Sequence, residues 1–138
     1  MLTARMAKLV DEMTASVDSL AGDQERADAA ALHLSDVLGE RELLCDPDCA
    51  SDPVRYCQHV LYVDPNSRFS IVSLVWLPGQ TTPVHDHVCW CVVGVHQGTE
   101  IETRFEQIDD DGSHRLRETG VCTNSCGSVA ALVPSGPN

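Results

Sequence analysis

Positive charge is scarce in this chain. Its one lysine is Lys8, and nine lysines and arginines face 21 aspartates and glutamates, for a formal charge of −12. A surface this acidic repels phosphate backbones and anionic headgroups, so nucleic acid and membrane surfaces are poor partners. Solubility is enough to explain the charge, and a cationic substrate is not implied. A long apolar run is missing as well. Residues 1–10 carry positive charge but no apolar stretch of signal-peptide length, and nothing approaches the roughly 20 apolar residues of a membrane span. These features predict a cytoplasmic protein. The cysteines lack an even count: there are seven, at positions 45, 49, 57, 89, 91, 122 and 126. An odd number without an export signal argues against a disulfide framework. Cys45-x3-Cys49 and Cys122-x3-Cys126 lie within the loose spacing of a structural zinc site. Their flanks lack knuckle-like glycine or histidine neighbours and the pairs are far apart in sequence, so ordinary reduced thiols are the default reading.

What is present suits a single domain of 138 residues with an average apolar content. Leu2, Met6, Leu9, Met13, Val17 and Leu20 step by three or four, which predicts a helix over 2–20. Gly22 ends that run. Asp23 offers an N-cap to a second helix, rich in helix formers, that reaches toward Gly39. The stretch Asp46-Pro-Asp-Cys-Ala-Ser-Asp-Pro reads as a loop. Strands are then predicted over 55–63 and 68–77, with a turn at Asp64-Pro-Asn-Ser between them. The second has apolar residues on both faces, Phe69, Ile71, Val75 and Leu77 against Val72, Leu74 and Trp76, which predicts cover on both sides. Pro78-Gly79 should turn the chain into a further strand running to Val95. Residues 99–108 alternate like a half-exposed strand, Asp109-Asp-Asp-Gly is a hairpin turn, 113–119 return as a polar strand, and Val129 to Val133 starts the last. Short strands separated by turns argue for an antiparallel sandwich or small barrel.

Chemistry concentrates at His85 and His87. Residues two apart in a strand share a face, so two imidazoles would converge on one spot, where a metal ion can accept their lone pairs. The plainer alternative is a pair of solvated or hydrogen-bonded histidines. Asp86 between them would point the other way and serve structure rather than ligation.

The surrounding residues carry a resemblance. Gly79, five residues, His85-Asp86-His87, three residues, Cys91, six residues and Gly98 follow the first cupin motif, with Cys91 at the usual glutamate position. The run from Trp76 through Leu-Pro-Gly-Gln-Thr-Thr-Pro to His87, followed by Trp90, Gly94-Val95 and Gln97-Gly98, resembles the thiol dioxygenases, that is, cysteine dioxygenase and mercaptopropionate dioxygenase. The likeness covers about residues 54–136.

The resemblance implies an all-β fold with N-terminal helices: a cupin jelly-roll β-barrel over 54–138, with helices over 1–44 packed outside. It implies a mononuclear Fe(2+) cofactor held by three histidines, the first two being His85 and His87. The third would follow a Pro-x-Gly turn that looks like Pro134-Ser-Gly-Pro-Asn, and the given sequence ends at Asn138 before a histidine appears there. The last barrel strands would be missing with it. The implied reaction joins a small thiol, cysteine or 3-mercaptopropionate, with O2 to give a sulfinic acid. Tyr56 and Gln58 stand where the cysteine-specific branch has a tyrosine and an arginine. A glutamine there is similar to the mercaptopropionate branch and favours a thiol acid needing no amine. Cys91 and Trp90 fall near the site. The alternative is a non-catalytic metal or small-molecule binding module that kept two ligands.

Overall fold

The computed structural model describes residues 1–108 and 112–134. Helix α1, Ala4–Ser19, starts where Thr3 accepts the Met6 N–H at 3.0 Å. The same hydroxyl donates to the Leu43 carbonyl at 2.8 Å, so the cap also ties the helix to the chain beyond the second one. Met6, Leu9, Val10, Met13 and Val17 are its buried stripe, as the periodicity predicts. Helix α2, Asp23–Ser35, buries only Ala27 and Ala30. Two alanines make a narrow face that lets α1 come close. Gly22 rather than Asp23 takes the cap position, and Asp23 and Glu25 sit in the first turn, where carboxylates complement the helix dipole. Gly39, at φ +87°, closes the turns that follow.

The predicted loop at Asp46 contains a short 3-10 turn, Asp46–Cys49. Among the described residues six strands follow: β1 Cys57–Val63, β2 Ser70–Val75, β3 Cys91–Gly94, β4 Thr99–Ile108, β5 Arg115–Ser125 and β6 Val129–Leu132. They pair antiparallel as β1 with β2, β3 with β6, and β4 with β5. The architecture is therefore two helices with small antiparallel sheets. The hairpin turn predicted at Asp109-Asp-Asp-Gly lies mostly outside the described residues, as does the turn sequence after Pro134. Among the described residues no helix is long and apolar enough to cross a membrane.

The core is organised around the helices. Met6, Leu9, Met13, Ala30, Val37 and Leu43 form its buried cluster, and Leu61, Phe69, Ile71, Trp90 and Val92 lean on it from the sheets. Leu9 and Val37 are fully buried; such side chains each contribute about 1.5–3 kcal/mol. The β1–β2 hairpin is fastened by its turn. Asp64, only 2% exposed, accepts two bonds from the Arg68 guanidinium, both at 2.8 Å, and the backbone N–H groups of Asn66 and Arg68. Arg68 also pairs with Asp18 of α1, which joins the hairpin to the helix.

Two predictions of strand environment are corrected. The expected cover on both faces of β2 is absent: Ile71 reaches the core, while Val72 and Leu74 stay exposed on the other side. The strand expected to carry the histidines begins only at Cys91. Residues 81–87 have no regular structure. Pro83 has no N–H to give a ladder, the Asp86 carboxylate takes the His87 N–H at 2.7 Å, and the His85 ring bonds the Pro83 carbonyl at 2.8 Å. These local bonds occupy groups that strand pairing would need.

Candidate metal centre

The approach to the histidines is rigidly placed. At the turn after β2, Gly79 adopts φ +86°, and the Gln80 N–H donates to the Leu77 carbonyl at 3.0 Å. The Gln80 side chain accepts the Leu77 N–H at 2.8 Å and donates to the Asp52 carbonyl at 2.8 Å. Trp76, just before the turn, stacks on Tyr56 with ring centroids 5.9 Å apart. The stretch leading to the histidines is thereby bound at two points to the segment that enters β1.

His85 and His87 come together without a strand. Their rings meet edge to face, centroids 5.1 Å apart and planes at 73°. His85 is exposed and His87 half-buried. The Pro83 carbonyl can only accept, so the Nδ1 of His85 carries the ring proton and donates it at 2.8 Å. In the neutral ring Nε2 then keeps its lone pair. A carbonyl-fixed tautomer of this kind is the form in which histidine ligates metals. Asp86 accepts the His87 N–H and shapes the loop, in keeping with the structural role expected of it. Among the described residues no group of three or more His, Cys, Asp or Glu side chains is arranged to hold a metal ion.

The other predicted residues fall around this pair in distinct settings. Trp90 is half-buried against the helical core. Cys91 opens β3 opposite Leu132 and is half-buried. Burial pushes its thiol pKa up, with a smaller contribution from Cys89, so it is a neutral thiol at physiological pH. Tyr56 and Gln58 line one cleft of about 420 Å³ together with Asp52, Arg55, Cys57 and His59. Neither His85 nor His87 lines it. The structure brings the two predicted substrate residues together and the two predicted metal residues together, and joins the groups through the Tyr56–Trp76 stack and the Gln80–Asp52 bond.

Sequence reasoning gave no role to Arg55, which lines the same cleft as Gln58. Its charge was the one available signal, and nothing in the spacing ranked it above the other cations. Trp76 and Gln80 stood in the recognised run without a role, and their positioning contacts emerge only in three dimensions. The remaining four histidines have other partners, His96 accepting the Gly39 N–H at 3.1 Å. His33 meets the Ser16 hydroxyl at 2.8 Å, His59 donates to the Ala50 carbonyl at 2.8 Å, and His114 contacts the Gln107 amide at 2.9 Å. No protein-family model matches the chain.

Proposed function

We propose that this chain acts as an iron-dependent thiol dioxygenase of the cysteine dioxygenase type, on a cupin-type frame, with His85 and His87 as ligands of Fe(2+). The observation that carries the reading is the His85 contact: Nδ1 meets the Pro83 carbonyl at 2.8 Å, which in the neutral ring leaves Nε2 free, with a second imidazole 5.1 Å away. Neutral imidazoles suit oxygen-activating iron because they leave coordination positions open. When bound, iron supplies the site where a thiol loses its proton and meets O2, the sulfur leaving as a sulfinate.

The chain's own residues bind and orient. Gln58 offers one amide donor to a substrate carboxylate, and Arg55 in the same cleft supplies the cation that a bidentate grip needs. Tyr56, held by its stack on Trp76, forms a fixed wall. Cys91, kept protonated, does not compete with the substrate as a thiolate. A small thiol acid such as 3-mercaptopropionate fits this set, with cysteine as the other candidate.

The test is oxygen uptake by the anaerobically iron-loaded chain with 3-mercaptopropionate or cysteine, followed by sulfinate detection. The expected result is sulfinate from at least one thiol, lost in both His85→Ala and His87→Ala. Those variants should also bind iron(II) more than about 10-fold more weakly. No sulfinate from any small thiol would overturn the enzymatic reading. A second reading, a binding module without turnover, is favoured by the two-donor count among the described residues and by the absence of both histidines from the Gln58 cleft. It predicts weak, reversible iron(II) binding and no oxygen uptake.

A further inference from the structure

The β4–β5 hairpin contributes nothing to the helical core, and its two faces are unlike. Directly paired residues share a face of the sheet, and the face alternates along each strand. Thr99, Ile101, Thr103, Phe105 and Gln107 therefore lie on one face with their β5 partners Ser125, Thr123, Val121, Glu118 and Leu116. All four large apolar residues that the hairpin exposes among its described residues are on this face. Their exposure runs from 39% for Phe105 through Leu116 and Val121 to 73% for Ile101. The opposite face holds Glu100, Glu102, Arg104, Glu106, Arg115 and Arg117. It pairs Arg104 with Glu102 and Arg117 with Glu106. The charge has been gathered on one side of the hairpin, and the apolar side is open to water. A contiguous apolar face of this kind marks a contact surface.

We propose that this face packs against the same face of a second copy of the chain, forming a two-fold dimer. Charge favours a copy over a foreign partner. Each chain carries a formal −12, so two copies can meet only across a surface with little charge, and Glu118 is the one charged residue among the ten paired on this face. A partner chosen by its charge would find its match on the other face.

Spacing favours a copy as well. Ile101 and Phe105 lie two positions to either side of Thr103, whose partner is Val121. A two-fold axis running across the strands at that pair sets Ile101 of each copy over Phe105 of the other. That reciprocity is what an isologous contact requires. The two Val121 side chains meet at the axis. Glu118 falls over Thr123 of the other copy, so no two like charges face each other. The size of the face sets the strength. Two such hairpin faces bury on the order of 1,000 Å² together, the low end for a specific interface. The dimer should accordingly form near about 0.1 mM and be dissociated in a dilute denaturation measurement.

Sedimentation velocity of the full chain over roughly 10 μM to 1 mM tests the proposal. A monomer should convert to a dimer across this range. Conversion should be more complete in high salt, which screens the repulsion between two acidic chains. Ile101→Asp and Val121→Asp should each weaken the dimer by more than about 10-fold, as an interface centre does. Arg104→Gln changes the net charge by the same one unit on the opposite face and should leave the dimer unchanged. On the unmodified chain, amide hydrogen exchange over β4 and β5 should slow as concentration rises, while β1 and β2 keep their rates. That readout does not depend on how the variants fold. A chain that stays monomeric throughout, a dimer that dissolves in high salt, full dimerisation of either aspartate variant, or concentration-dependent protection confined to other strands would overturn the proposal.

Discussion

The two long hairpins of this protein share a construction and differ in what surrounds them. In both, antiparallel strands pair in regular register apart from one irregularity, at Leu61 in β1 and at Thr119 in β5, opposite Arg104 and Phe105. The first places Leu61, Phe69 and Ile71 against the helical core and is tied to α1 by Asp64, Arg68 and Asp18. The second contributes no residue to that core. It leaves Ile101, Leu116 and Val121 exposed, while polar Glu102 and Asn124 occupy its half-buried side. Its ion pairs, Arg104 with Glu102 and Arg117 with Glu106, are solvated. Alternation along a strand records that two faces differ; neighbouring elements decide which face is covered.

This contrast can be broken most forcefully at the core. Leu9→Ala should cost about 2–5 kcal/mol of unfolding free energy, as buried leucines do. Ile101→Ala, at 73% exposure, should stay within about 0.5 kcal/mol. Urea denaturation of both variants checks the pair, and equal losses would mean that the second hairpin is covered in solution. The turn anchors come next. Asp64→Ala removes one of the two carboxylates on the Arg68 guanidinium and leaves two backbone donors without their acceptor, and should cost about 3 kcal/mol, the low end for a broken buried pair because Arg68 is partly exposed and keeps Asp18. Arg117→Ala removes a surface pair and should cost at most about 1 kcal/mol. Thermal melts with calorimetry compare them. A third comparison sharpens how the sheets meet the helices. A β-carbon on Gly94 would come within 2.7 Å of Leu38 and 2.8 Å of Leu34. Gly94→Ala should cost about 1–2 kcal/mol, less than a rigid clash would, because leucine side chains can shift. Gly120→Ala, with nothing within 4 Å, tests the same substitution without the crowding.

The proximity of the two histidines was legible, and their setting was not. His85 and His87 are drawn together as the spacing suggests, but a proline-led loop with side-chain-to-backbone bonds does it, rather than a shared strand face. Pro83 carried that information in the sequence, since a missing N–H weakens any strand reading. Gln58 and Tyr56 do share a cleft, yet Arg55, which lines it with them, could not be told from any other arginine in the sequence.

Local chemistry is short-ranged, and the sequence by itself determined what depends on it: the apolar stripe of α1, the strand segments, the breaks at Gly22 and Gly79, and the histidine pair. Tertiary structure alone decided what depends on distant segments meeting. It made the helices the centre of the core, left the outer face of β2 bare, and brought Cys49 to the same cleft as Cys126. Burial and proximity between residues far apart in the chain arise from the packing of whole elements, and no local pattern of side chains encodes which of several apolar faces that packing will cover.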